Sequence, residues 1–264
     1  MLIGRLKTLL VQKGSWPFVG FWLIGIGILI GRVCFDVKTY CLGSMIMFRW
    51  VEPGEYEYLL HLPPGYTDFR NPRPLIVFLH GAGETNKGLD ALKRCDLWHF
   101  AKGHVEAKDF PFIVVSPITP TYGWQPQRVK NVVERIVQDY SVRYRIDPDR
   151  IYLTGFSMGG FGTFETACTD SELFAAIVPV AGGGDPAKAE RLKDVPTWAF
   201  HGDADDVVAC EHSVKMIDSM KEAGDREAKL TVLEGKGHGI MHEVYARPEI
   251  YRWLLERKRG RSAE

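Results

Sequence analysis

The pentapeptide Gly155-Phe156-Ser157-Met158-Gly159 limits what this chain can fold into more than any other stretch. The β-rich run Arg150-Ile151-Tyr152-Leu153-Thr154 precedes it, and the small-residue helix start Gly160-Phe161-Gly162-Thr163-Phe164 follows. A strand that turns directly into a helix around a serine leaves no room for a Cβ at either flanking glycine, and the tight turn lifts the hydroxyl above the sheet edge. G-x-S-x-G alone arises by chance in many chains. The strand before it and the helix after it make it a nucleophile elbow, with Ser157 as the candidate nucleophile.

The rest of the chain supplies the sheet that such an elbow needs. Pro74 to His80, Pro111 to Ser116, Arg150 to Thr154, Phe174 to Val180 and Thr197 to His201 are short, nearly continuous apolar runs, as expected of strands buried on both faces. Tyr56 to Leu62 alternates enough for an antiparallel strand and ends at the turn signal Pro63-Pro64-Gly65-Tyr66, while Ile146-Asp147-Pro148-Asp149 reads as a turn. Helical spacing predicts helices over Arg128 to Tyr144, Gly160 to Cys168, Glu211 to Ala223 and Ile240 to Arg257. The alternation predicts an α/β fold with a mostly parallel, doubly wound sheet, whose ligands gather at the carboxyl ends of its strands.

With 264 residues and a formal net charge of zero, the chain has the size of one domain with an extension, and neutrality argues against a nucleic-acid partner. The positive charges at Arg252, Arg257, Lys258, Arg259 and Arg261 read as a solvated basic tail. Five cysteines without C-x-x-C spacing indicate neither a disulfide framework nor a zinc site. The extension is at the front: residues 14–31 carry no charge and approach the length of a membrane span. Arg5, Lys7 and Lys13 before it favour a cytoplasmic N-terminus, hence a signal anchor with the catalytic domain outside the cytoplasm. The alternatives are a cleaved signal peptide with secretion, or translation from Met45 or Met47, which leaves a cytoplasmic protein. The expected division is residues 1–45 as hydrophobic segment and linker, 46–258 as the catalytic domain and 259–264 as the tail.

A serine hydroxyl needs a base to take its proton and a third group to hold that base in the right tautomer. Downstream, His201-Gly202-Asp203-Ala204-Asp205-Asp206-Val207-Val208 follows one apolar strand, and Gly235-Lys236-Gly237-His238-Gly239 follows another, Ala228 to Leu233. His238, in a glycine-flanked loop, is the candidate base, with His242 its near rival; His80 and His201 sit at strand ends, where loop support is the simpler role. Asp205 is preferred over Asp203 and Asp206 as the acid. An oxyanion hole needs two backbone N–H donors: Met158 supplies one, and the loop Gly81-Ala82-Gly83-Glu84 the other, with Ala82 ahead of Gly83.

The order Ser, Asp, His, the His80-Gly81-Ala82-Gly83-Glu84 loop, the elbow and Val180-Ala181-Gly182-Gly183-Gly184-Asp185-Pro186 together resemble the phospholipase/carboxylesterase-like branch of the α/β-hydrolases. That branch is also labelled predicted peptidase or poly(3-hydroxybutyrate) depolymerase-like, and the resemblance covers about residues 55–256. Its H-G-x-x-D-P-V-V loop implies Asp205 as the acid, although Asp206 stands where the proline usually does. The resemblance implies a serine esterase using an acyl-enzyme and no cofactor or metal, acting on small-molecule or polymer-borne esters. A serine peptidase of the prolyl-oligopeptidase-like type and a membrane-tethered, non-catalytic binding protein are the alternatives. Cap domains in this fold commonly follow the strand near Val180, but only Gly182 to Asp194 separates it from the next strand, so no lid is expected. Trp124 follows a strand end on the ligand side and reads as a pocket wall, with Gly83, or as a plain surface aromatic. The sequence leaves the oligomeric state open.

Overall fold

The structure, a computed structural model, describes residues 45–48, 55–63, 71–93, 95, 97–101, 103–106 and 110–260. The hydrophobic segment at 14–31, the turn at 64–66 and the last four residues lie outside the described residues. Among the described residues no helix is long and apolar enough to cross a membrane.

Eight strands form one sheet: β1 (Met45–Phe48), β2 (Glu57–His61), β3 (Arg73–Leu79), β4 (Ile113–Ile118), β5 (Ile146–Phe156), β6 (Ala176–Val180), β7 (Trp198–Gly202) and β8 (Lys229–Leu233). Their order is β1-β2-β4-β3-β5-β6-β7-β8. The pairs β1–β2 and β2–β4 are antiparallel and the remainder are parallel. The predicted mostly parallel sheet is therefore present, with an antiparallel edge. From β3 the chain steps to β4 on one side, then crosses back to β5 on the other, so the strand order reverses at the carboxyl ends of β3 and β5. In an open α/β sheet that crevice is where ligands bind.

Strand β3 explains the layering. Leu75, Val77 and Leu79 join a core with Val129, Val133, Ile136, Phe164 and Met216, from α3 (Pro126–Tyr144), α4 (Met158–Thr169) and α5 (Glu211–Glu222). The alternate residues Ile76 and Phe78 join a second core with Leu97, Phe100, Val244 and Tyr251. These come from α2 (Leu97–Ala101), α6 (Met241–Tyr245) and α7 (Pro248–Leu255); the short α1 is Leu89–Leu92. Successive strand side chains point to opposite faces, so an unbroken apolar run is what two helical layers require.

Three sequence expectations change. The stretch at 146–149 is part of β5, because the β3–β5 register shifts between Arg73 and Leu75 and absorbs it as a bulge. Its turn chemistry survives inside the strand: Asp147 Oδ1 accepts the Asp149 N–H and Oδ2 pairs with Arg150. The single helix expected over 240–257 is two helices, α6 and α7. Pro248 has no N–H to continue a helix and holds Arg247 extended at φ −84°, ψ 112°. Arg257 is not part of a solvated tail. Its guanidinium lies 4.0 Å from the Trp253 ring centroid and 2.9 Å from Glu227, and its side chain is largely buried.

At the centre, α4 starts so close to β3 that a Cβ on Gly159 would lie inside the Leu79 carbonyl, backbone that cannot rotate away. We expect Gly159→Ala to lower the unfolding free energy in urea by about 3 kcal/mol. Gly239→Ala, where an added Cβ meets nothing within 4 Å, should change it by less than about 0.5 kcal/mol. Equal effects would refute the steric account.

Candidate active site

Ser157 joins β5 to α4 at φ 57°, ψ −117°, a left-handed backbone that L-residues rarely adopt and that costs about 1–3 kcal/mol. Two backbone hydrogen bonds hold it there: its N–H donates to Val180 O (2.9 Å), and its C=O accepts from Phe161 N–H (3.1 Å). Met158 begins the helix, so its N–H is among the first-turn donors with no partner inside α4. The loop after β3 passes close by. A Cβ built on Gly81 would stand 3.7 Å from the Ser157 Cβ, and Ala82–Glu84 turn immediately beyond it as one short 3₁₀ turn, with Ala82 and Gly83 exposed.

The sequence candidates converge on this serine. His238 Nε2 lies 2.9 Å from Ser157 Oγ, and His238 Nδ1 lies 2.8 Å from Asp205 Oδ2. With the carboxylate accepting at Nδ1, the Nδ1–H tautomer leaves Nε2 free to accept from the serine hydroxyl. The other Asp205 oxygen accepts from the N–H groups of Val207 and Val208, both at 2.9 Å, and the side chain is fully buried. Burial works to raise the Asp205 pKa, but the Val208 N–H, His238 and Val207 N–H bonds outweigh it and hold the carboxyl below its ordinary range.

The rivals are placed elsewhere. Asp203 accepts the Gly235 N–H (2.7 Å), tying the acid loop to the histidine loop, and Asp206 is exposed. His242 packs edge-on against Phe100, with ring centroids 4.4 Å apart. Trp124 is only 5% exposed and so is not a surface aromatic. Its indole N–H donates to His80 O (3.2 Å), and its ring packs against Tyr56 and His80 and beneath Gly162.

The partners of the two strand-end histidines are fixed by the fold. His80 Nε2 accepts the Thr119 N–H (3.1 Å) and Nδ1 donates to Gly81 O (2.6 Å), bracing the loops after β3 and β4 against each other. His201 Nε2 donates to Val208 O (2.8 Å) and stands 3.3 Å from Asp205 Oδ2, the oxygen that His238 uses. The strand-end placement marked both histidines as loop supports; the i,i+4 spacing of His201 and Asp205 was the available signal for the second contact. Among the described residues no group of three or more His, Cys, Asp or Glu side chains is arranged to hold a metal ion.

The chain is similar in sequence and fold to known esterases. Residues 123–246 match the family model described as PET hydrolase-like. The chain is 30% identical over 156 residues to the poly(3-hydroxyalkanoate) depolymerase C of Paucimonas lemoignei, covering 55% of this chain and 36% of that one. It is 34% identical over 139 residues to a bifunctional acetylxylan esterase/xylanase of Neocallimastix patriciarum, covering 51% and 20%. The matched stretch thus spans well under half of either relative's length. Among solved structures, that of a thermostable esterase superposes with a TM-score of 0.71 at 31% identity, covering 82% of this chain and 64% of that one.

Burial lowers the His80 pKa from 6.5 to about 4, against the smaller upward pull of its bond to Gly81 O, and burial likewise lowers that of His201. Because the unfolded His80 imidazole takes up a proton first, its contribution to stability is complete above about pH 6.5 and is lost as the pH falls toward 4. For His80 the loss is about 2 kcal/mol between pH 7 and pH 5. Urea unfolding at the two pH values should show that loss in the wild type and a smaller one in His80→Gln. An identical pH dependence in the variant would contradict the assignment.

Proposed function

We propose that this protein, which is similar in sequence and fold to α/β-hydrolase esterases, is a carboxylic ester hydrolase working through an acyl-enzyme. The carrying observation is the continuous hydrogen-bonded chain from Ser157 Oγ through His238 to Asp205, mounted on a strained elbow at the switch point of the sheet. Ser157 attacks the ester carbonyl while His238 Nε2 takes its proton. Asp205 keeps the imidazole in the accepting tautomer and stabilises the imidazolium that forms. The tetrahedral oxygen is received by the N–H groups of Met158 and Ala82, each worth about 3 kcal/mol of barrier. His238 then protonates the departing alcohol, and water repeats the sequence to free the acid.

The esterase and depolymerase relatives support esters as the substrate class, small or polymer-borne. Among the described residues no cap domain stands in the β6–β7 connection, which supports the same breadth. Only one short 3₁₀ helix, Pro186–Leu192, lies in the β6–β7 connection, where this fold commonly inserts a lid. For location, the uncharged stretch at 14–31 supports a membrane anchor with the catalytic domain outside the cytoplasm; fractionation of the tagged full-length chain tests it.

Activity is tested on p-nitrophenyl esters from acetate to decanoate, with the full-length chain. Ser157→Ala should abolish hydrolysis and labelling by a fluorophosphonate. Asp205→Asn should lower kcat about ten-thousandfold while leaving the fold intact, because it presents the wrong tautomer. A folded protein that hydrolyses no ester and resists labelling refutes the assignment, and cleavage of amides in preference to esters makes it a peptidase.

A further inference from the structure

Among the described residues, the large apolar side chains that stand exposed are Tyr122 at 81%, Val207 at 67% and Val232 at 46%. Val232 belongs to the edge strand β8. The other two occupy the loops after β4 and β7, at the same carboxyl end of the sheet as Ser157. Strands β4 and β7 are each two positions from β5, on opposite sides. At the usual strand spacing, these loops leave the sheet roughly 10 Å to either side of the nucleophile's strand.

Both loops are pinned by their backbones to the site itself. In the first, the Thr119 hydroxyl donates to Thr121 O (2.8 Å), and Gly123, in a left-handed turn at φ +89°, donates its N–H to the Met158 sulfur (3.2 Å). Tyr122 is therefore one residue from a contact with the side chain that follows the nucleophile. In the second, the Val207 N–H is one of the two that hold Asp205 Oδ1. Neither side chain joins a core cluster, so the fold itself gains nothing from their apolar surface. Phe156, at the end of β5 between those two strands, is partly buried, its ring 4.9 Å from that of His238.

We infer that Tyr122 and Val207 are two arms of the substrate cleft, one serving the acyl side and the other the alcohol side, and that the preferred ester carries apolar groups on both sides of the scissile bond. This rests on Ser157 being the nucleophile. An acetyl group on a polar alcohol, or an acyl group on methanol, meets one arm only. An ester with a ring on each side bridges both, and the Tyr122 ring offers a flat face to one of them.

The test uses three esters with the full-length chain: phenyl acetate, methyl benzoate and phenyl benzoate. Wild type is compared with Tyr122→Ala, Val207→Ser and the double variant. Each single variant should lower kcat/KM for phenyl benzoate roughly tenfold, the double variant roughly a hundredfold. The single variants should differ on the one-sided esters, one losing more on methyl benzoate and the other on phenyl acetate. Losses below twofold on phenyl benzoate, or both variants losing on the same one-sided ester, overturn the inference while the esterase stands. A wild type inactive on all three and unlabelled by a fluorophosphonate overturns the Ser157 assignment and this inference with it.

Discussion

The structure depends on one close approach of backbone to backbone. Helix α4 begins against the ends of β3 and β6, with Gly159 set on the Leu79 carbonyl and Gly160 on that of Val180. That approach forces Ser157 into its left-handed conformation and holds it there through the Val180 carbonyl. It also brings the loop after β3 to the serine's side. Strain at Ser157 is thus a by-product of how tightly a helix is docked on a sheet, and the two apolar cores on either face supply the stability that sustains it.

Much of this was legible in the sequence because the chemistry is local. Glycines around a serine, continuous apolar runs and two glycine-rich loops after strands each carry their meaning within a few residues. Motif context picked out Ser157 and His238, the resemblance to the esterase acid loop pointed to Asp205, and these three stand within hydrogen-bond reach of one another in turn. The choice of Asp205 over its neighbours is decided by the loop's own backbone: the Val207 and Val208 N–H groups point at one carboxylate.

What stayed hidden depends on distant partners. Trp124 is buried because Tyr56, just before β2, and Gly162 from α4 close over it, and neither is near it in the chain. Arg257 reads as tail charge until Trp253 and Glu227 are seen beside it. The bulge at 146–149 is a matter of register against β3, which no single strand encodes. The break at Pro248 is a different case, since the proline marked it in the sequence.

The loops of the acid and the base are mounted on each other. Asp203 holds the Gly235 N–H, and Ala204 donates to Lys236 O, so the two residues that lead into Asp205 are bonded to the run that leads into His238. The serine belongs to a separate piece, built from β5 and α4. Mechanically, the three groups are a coupled pair and a single, and the two parts meet across the gap between His238 Nε2 and Ser157 Oγ. In the proposed reaction that gap is the path of the serine proton, so its length is set by how two separately mounted pieces of the fold stand to each other.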